Sequence, residues 1–354
     1  MQILDRYIIK TVFISTLLFL LVIIALYGFI ALSDSFKYIG KNAFGTSDAF
    51  YYTLMTMPRR IYELYPFSVL LGAMMGLGAL NSNSELVIIR AAGVSVARII
   101  FSVMKAGFIL ALLMLLWGEY VIPVTESIAQ NHYANKVHGV TSIRSEEVTW
   151  VRDKNNYTKI AAIASNKDLI GITMFTFDDD KTLKVSTKAA KAKFNGEDWV
   201  LYDIQQTFIT QEKIVTNKVD KAIWPTLLNM ELVDVIVSKL EFLPARGLFQ
   251  YAEYLDNNGL DSQQYWMAFW SKIIAPFSIA AMLLFAVPFV FDSSRTNNAG
   301  NRLMIGVFIG VIFTIANKVV AQFGLVYNLS PFISASLVTL ITFTIAVLLI
   351  RRIN

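Results

Sequence analysis

Leu110-Ala-Leu-Leu-Met-Leu-Leu-Trp-Gly-Glu-Tyr-Val-Ile-Pro123 runs directly into Val124-Thr-Glu-Ser-Ile-Ala-Gln-Asn-His132, and there an otherwise apolar chain turns polar for about 140 residues, until roughly Gln263. Three hydrophobic stretches precede the junction and three follow the polar segment. Drawn near residues 10–33, 51–80, 99–122, 265–291, 302–324 and 332–350, each is close to the twenty or so residues needed to cross a bilayer. The layout is three spans, one soluble insert and three more spans. The first stretch is not a cleavable signal, because its apolar run is too long and no small-residue cleavage pattern follows it.

Composition agrees. Over 354 residues the hydrophobic share is 55%, the charged share 16% and the mean hydropathy +0.53, too apolar for a soluble domain of this size. Residues 134–241 hold 15 Lys or Arg and 15 Asp or Glu, so the net charge of +5 belongs to the membrane part, where 16 basic residues face 11 acidic ones. That excess is small and dispersed, which argues against nucleic-acid binding. The absence of cysteine excludes disulfides, thiolate metal sites and cysteine nucleophiles, so the insert must be held by its own core. Arg6, Lys10, Arg90, Arg98, Arg295, Arg302, Arg351 and Arg352 fall on one side under an even number of crossings, whereas the loop at 325–331 carries no charge. Both termini are therefore expected in the cytoplasm and the insert outside it.

The insert reads as all-β. In Thr182-Leu-Lys-Val-Ser-Thr-Lys188 the residues Leu183, Val185 and Thr187 alternate with Lys184, Ser186 and Lys188, the period of a half-buried strand. Asn195-Gly196 between Ala190–Phe194 and Asp198–Tyr202 predicts a tight hairpin, and Asp178–Lys181 a second turn. Six or more strands in about 110 residues point to a sandwich, jelly roll or open barrel. After Pro244, Leu248, Tyr251, Ala252 and Leu255 take helical spacing and predict an interfacial connector helix.

Two constellations bear on function. Ser82-Asn-Ser-Glu85 has the form of a capping box, Leu86-Val-Ile-Ile-Arg90 carries a helix forward and Gly93 is placed to end it. A short cytoplasmic helix over 82–93 is expected, its apolar run Leu86–Ile89 suited to docking a partner; the alternative is a simple turn between crossings. The second constellation is charge in or beside the spans: Lys37 and Lys41 after the first, Arg59, Arg60 and Glu63 between Pro58 and Pro66 in the second, Lys318 inside the fifth. Such groups are costly in hydrocarbon and normally face an aqueous cavity or bundle interior, so they suggest a path for an anionic ligand. Against this, Lys37 and Lys41 read equally as solvated loop residues, Arg60 and Glu63 as an ion pair at helical spacing, and Lys318 as a snorkelling side chain.

Other patterns carry no chemistry. His132 and His138 read as solvated, Gly72-x-x-x-Gly76 and Gly306-x-x-x-Gly310 as helix-packing signals, and no catalytic or metal-ligating set stands out. There is no G-x-x-x-x-G-K-[ST], so ATP-driven work must come from a partner.

Leu4-Asp-Arg-Tyr7, Leu71-Gly-Ala-Met-Met-Gly-Leu-Gly78 leading into Ser84-Glu-Leu-Val-Ile-Ile-Arg-Ala-Ala-Gly93, and Trp270-Ser-Lys-Ile-Ile-Ala-Pro276 resemble the lipopolysaccharide export permease family across essentially the whole chain, with the G-type subunit closer than the F-type. That resemblance implies six transmembrane α-helices with a periplasmic β-jelly-roll domain inserted between helices 3 and 4, in the inner membrane of a Gram-negative bacterium. Residues 1–130 would hold the first three helices, 131–243 the jelly roll, and 244–354 the connector and the last three helices. It further implies a heterodimer with an F-type permease subunit, two copies of a cytoplasmic ATPase, periplasmic bridge proteins and a single-span bridge subunit. The function implied is extraction of lipopolysaccharide and its delivery to the bridge. The chain itself would bind no cofactor and catalyse no reaction, ATP being used by the partner. The family's coupling helix maps to 82–93 with Ser84, Glu85, Leu86 and Arg90, and its cargo contacts to Lys37 and Arg59. Further basic positions of the family appear here as Ala31, Tyr38, Gln130 and Tyr133, for which Lys41, Arg60 and Lys318 are candidates to compensate. Two rival classes are a membrane-embedded lipid-modifying transferase, for which Asp34 and Asp48 are thin support, and a periplasmic scaffold or sensor, which has no need of cations in its spans.

Overall fold

The computed structural model describes residues 3–138, 143–145, 149–153, 155–164, 167–178, 180–210, 213–224, 226, 233, 240–291 and 299–352. In chain order its helices are α1 (Ile3–Ser35), α2 (Thr46–Ser82), α3 (Glu85–Ala91), α4 (Val96–Leu116), α5 (Ile122–His138), α6 (Ala245–Asn257), α7 (Gln263–Phe291), α8 (Ala299–Val326) and α9 (Pro331–Arg351). Six apolar helical stretches are long enough to span a bilayer, as the hydropathy pattern predicts. The polar junction does not end the third of them. Pro123 has no N–H for the Glu119 carbonyl and its ring crowds that oxygen; a π turn over Trp117–Val121 widens the helix just before it and lets α4 run into α5.

The chain forms two compact units. One comprises residues 1–34, 53–126 and 266–354; the other comprises 35–52 and 127–265. In the helical unit the core gathers Ile8 and Val12 of α1, Val69, Met74 and Leu77 of α2, Ile99 and Leu110 of α4, and Ile279 and Met282 of α7. Glycine sets how closely these helices approach. A Cβ on Gly72 would lie 2.4 Å from the Thr16 Cα, and one on Gly76 2.7 Å from the Ser15 Oγ, so α2 receives the backbone of α1. Gly306 and Gly310 of α8 likewise receive Leu71, Met74 and Phe67 of α2. Both glycine pairs are packing devices, in accord with their spacing.

The second unit holds strands β1 (Ile143–Ser145), β2 (Thr149–Asp153), β3 (Asn156–Ala164), β4 (Leu169–Phe177), β5 (Leu183–Phe194), β6 (Trp199–Ile209) and β7 (Ile214–Trp224) in one antiparallel sheet. From β2 onward each strand pairs with the next, and β1 shares with β2 one edge of β3. Register lines up buried side chains in rows across the strands: Ile160, Ile172, Ala189 and Ile204 in one, Ile163, Leu169, Ala192 and Leu201 in the next. Trp199, 1% exposed, faces Phe194 and Trp224 and closes one end. The Asn195-Gly196 hairpin forms, around the four residues 195–198. Phe194 pairs with Trp199, and the Asn195 side chain accepts from the amides of Glu197 and Asp198, an Asx turn. α6 lies on its predicted face, with Leu248, Tyr251, Ala252 and Leu255 buried. Burial and the neighbouring Asp153 push the Tyr254 hydroxyl up to about 12, so it remains a donor, here to the Arg152 carbonyl at 2.8 Å.

The α1–α2 contact yields a direct expectation. Gly72→Ala drives a methyl into the α1 backbone and lowers stability by about 1–3 kcal/mol, as overpacking does. Gly300→Ala, with nothing within 4 Å, leaves the thermal midpoint in detergent unchanged or slightly raised. Equal midpoints for the two variants would contradict the seat assigned to Gly72.

Candidate functional site

At one end of the helical unit α3 is held from three directions. Leu86 is 1% exposed and anchors the helix in the core, whereas Val87 and Ile88 are 57% and 66% exposed. The expected docking run therefore has a buried foot and an outward face, with Leu86 on the inside. Glu85 accepts a hydrogen bond from the Tyr7 hydroxyl at 2.6 Å, and the Arg90 guanidinium lies 5.9 Å from the centre of the Phe291 ring. Gly93, at φ +87°, ends the helix as predicted, its amide reaching Arg90 and that of Val94 reaching Ile89 in a Schellman arrangement.

The predicted capping box does not form. Ser82 is the last residue of α2 and its hydroxyl donates to the Gly78 carbonyl at 2.9 Å. Ser84 holds the N-cap position at φ +63° with no side-chain cap. Arg302 explains why α2 persists that far. Its two terminal nitrogens donate to the Gly78 carbonyl and the Ser82 hydroxyl, each at 2.7 Å, where they complement the negative end of the helix. Arg302, counted in the sequence only among the charges on one side of the spans, is 5% exposed and has a structural role, and Arg295 lies outside the described residues.

Near the same end, Asp5 is 1% exposed and accepts from Arg98 at 3.1 Å, Ser102 at 2.6 Å and Lys105 at 2.7 Å. Sequence reasoning passed over this cluster, although a lysine inside the third span and an acid at the head of the first are the signal for it.

The charges of the second span are paired within the helical unit. Arg59 Nε meets Glu126 at 2.8 Å and its Nη1 meets Glu63 at 3.1 Å, while Arg60 meets Glu63 at 2.9 Å and stands 5.0 Å from the centre of the Tyr27 ring. The Arg60–Glu63 ion pair was foreseen. Glu126, with its side chain 0% exposed, was not; its signal is an acid one turn past Pro123 in the same continuous helix. Beside these residues runs a groove of about 610 Å³, walled almost wholly by apolar side chains: Phe13 to Ala25 of α1, Ile61, Tyr62 and Tyr65 of α2, Leu110, Leu113 and Met114 of α4, and Trp117. Trp117 donates its indole N–H to the Pro58 carbonyl, immediately before Arg59. Lys318 of α8 is exposed, without an ion-pair partner among the described residues.

Lys37 and Lys41 belong to the other unit, on the segment that follows α1. Both are exposed, and the Lys41 ammonium lies 5.0 Å from the centre of the Tyr38 ring. Tyr38 in turn meets Tyr133 edge-on at 5.0 Å, and Phe44 and Tyr52 complete an aromatic cluster about Tyr133. His132 is not merely solvated: its Nε2 lies 2.8 Å from Asp48, whose other oxygen accepts from the Gly45 amide. The His138 side chain lies outside the described residues.

Residues 6–352 match the family described as Lipopolysaccharide export system permease LptF/LptG. The chain is 32% identical over 353 residues to the lipopolysaccharide export system permease protein LptG of Escherichia coli K12, covering 99% of this chain and 98% of that one. It is 29% identical over 346 residues to the protein of the same name from Haemophilus influenzae KW20, covering 97% and 96%.

The Arg59–Glu126 pair sets an asymmetric expectation. Arg59→Gln removes the cation from a carboxylate with no exposure and destabilises the chain by about 3–5 kcal/mol, whereas Arg59→Gln combined with Glu126→Gln recovers most of that loss. Thermal unfolding of the purified protein reads the difference, and a double variant no more stable than the single one contradicts it.

Proposed function

Because the chain belongs to the lipopolysaccharide export system permease family LptF/LptG, we propose that it is the G-type transmembrane subunit of an ATP-driven transporter. In this role it lifts lipopolysaccharide from the inner membrane and passes it to a periplasmic bridge. It is a multi-pass protein of the inner membrane. In our reading both termini and α3 are cytoplasmic and the β unit is periplasmic, an orientation supported by the positive charge of the short loops. An F-type permease completes the heterodimer, a single-span subunit joins the bridge, and two ATPase subunits dock through the α3 helices. Val87, Ile88 and Arg90 supply the outward face here, with Glu85 as the acidic contact. The chain needs no cofactor.

The observation that carries the transport reading is the apolar groove with Arg59 and Arg60 beside it. Lipid A pairs phosphates with several acyl chains, and a carrier needs cations level with the first and an apolar wall for the second. The geometry also suggests how a phosphate enters. Arg59 is held by the fully buried Glu126, but Glu63 is 40% exposed at its side chain and bridges both arginines. A phosphate displaces Glu63 more readily than Glu126, and Arg60, bound to Glu63 and not to Glu126 at these distances, is released by the exchange. Lys318 of α8, exposed, adds positive charge within the helical unit, and Lys37 and Lys41, exposed on the other unit, are cargo contacts proposed for that unit by itself. A transferase reading gains nothing, since Asp48 is engaged by His132 and Gly45.

Site-specific photocrosslinking to lipopolysaccharide in membranes tests the assignment. Crosslinks from Arg60, Lys37 and Lys318 positions are expected to exceed those from the exposed control Leu348. Glu63→Gln is expected to raise lipid affinity several-fold, the scale of a partly exposed ion pair, and Arg60→Gln to lower it by about tenfold or more. Equal crosslinking at all positions, or a loss of affinity in Glu63→Gln, removes the phosphate path. For the α3 assignment, Glu85→Lys is expected to release the ATPase from the complex or to uncouple hydrolysis from transport.

A further inference from the structure

We propose that Tyr7 is a positioning residue of the energy link: by holding Glu85 it makes α1 the element through which displacement of α3 reaches the apolar groove. The inference rests on the reading of α3 as the ATPase-docking helix and adds to it the route by which the motion leaves α3.

The Tyr7 hydroxyl donates to Glu85 Oε2 at 2.6 Å, a short charge-assisted bond between residues 78 positions apart. A carboxylate has acceptor capacity for several donors, so Glu85 can serve Tyr7 and a cation on the docking partner at once. The bond orients the carboxylate and ties it to α1. From Tyr7 to Ala25, α1 has no proline or glycine, so roughly 27 Å of helix at 1.5 Å per residue moves as one piece. Asp5, bonded to Arg98, Ser102 and Lys105, pins its first turn to α4, so that a displacement entering at Tyr7 tilts α1 rather than sliding it. Thr16 rests on Gly72, and directly beyond that seat Leu17, Leu20, Leu21 and Ile24 form one wall of the groove. Tilting α1 changes the width of the groove, because its other walls belong to α2 and α4.

The full complex, reconstituted in proteoliposomes with its permease partner and ATPase, provides the test. Tyr7→Phe deletes one oxygen from a side chain 43% exposed and leaves its ring in place. Assembly and ATP hydrolysis are expected to stay at the wild-type level, while lipid transported per ATP falls about tenfold, the lower end for a hydrogen bond to a charged group. Combining Tyr7→Phe with Glu85→Gln should cost no more than Glu85→Gln alone. The chain contains no cysteine, so Ala25→Cys and Leu113→Cys on opposite walls accept spin labels specifically. The ATP-dependent change in their separation should shrink to less than about half in Tyr7→Phe. Wild-type transport per ATP, or a wild-type change in label separation, overturns the role of Tyr7; if Glu85→Lys still breaks docking in that case, the reading of α3 stands. Failure of Tyr7→Phe to assemble also overturns the proposal, because the bond would then serve docking and not transmission. A Glu85→Lys complex with normal assembly and coupling instead removes the reading of α3 itself.

Discussion

Asp5 is the fixed point on which the helical unit depends. A carboxylate so fully withdrawn from solvent is tolerable only with charge and donors around it, and Arg98, Ser102 and Lys105 of α4 provide both. Much of α1 has no comparable hold: Leu17, Leu18, Leu21, Leu26 and Phe29 are 56–78% exposed. With its head pinned and its middle seated on Gly72 and Gly76, the helix is bound tightly along its first half and loosely along its second. The groove opens beside the loose half.

The same rule shapes the charged stretch of α2. Two arginines are tolerated in a span because two acids meet them, Glu126 and Glu63. The outer of these pairs, Arg60–Glu63, is the more exposed, so any anion drawn to the cluster meets Glu63 as its competitor. The other unit shows the converse. Positions at which the family resemblance leads one to expect cations carry Tyr38 and Tyr133, packed edge to face with each other and with Phe44, while Tyr52 lies tilted against Tyr133 and its hydroxyl accepts from Gln130. An ammonium in that cluster would lie among rings. The exposed Lys41, set against the Tyr38 ring, keeps positive charge at the surface instead.

Most of the architecture was legible in the sequence because hydropathy and period-two alternation are strong, local signals. The six spans and the alternating strands follow from them, as the face of α6 follows from helical spacing and the end of α3 from the conformational freedom of Gly93. What escaped was set by contacts between residues distant in the chain. Ser82 has the sequence of a cap, but Arg302, 220 positions away, draws it into the end of α2. Glu126 and Asp5 look like ordinary acids until Arg59 and Lys105 are brought to them. Asn195-Gly196 signalled its hairpin correctly, and the Asn195 carboxamide, by accepting from the amides of Glu197 and Asp198, sets the loop at four residues. In each case a side-chain hydrogen bond decided between alternatives that local pattern left equal.

Pro58 and Pro66 bracket Arg59, Arg60 and Glu63 in α2. Each proline withholds a backbone donor, so the carbonyls of Leu54 and Tyr62 have no ladder partner, and the helix between them is the most compliant section of an otherwise stiff rod. Bending there breaks fewer hydrogen bonds than bending elsewhere. Arg59, Arg60 and Glu63 therefore sit on a spring already softened, and this section of α2 can flex at low elastic cost while the rest of the bundle keeps its shape.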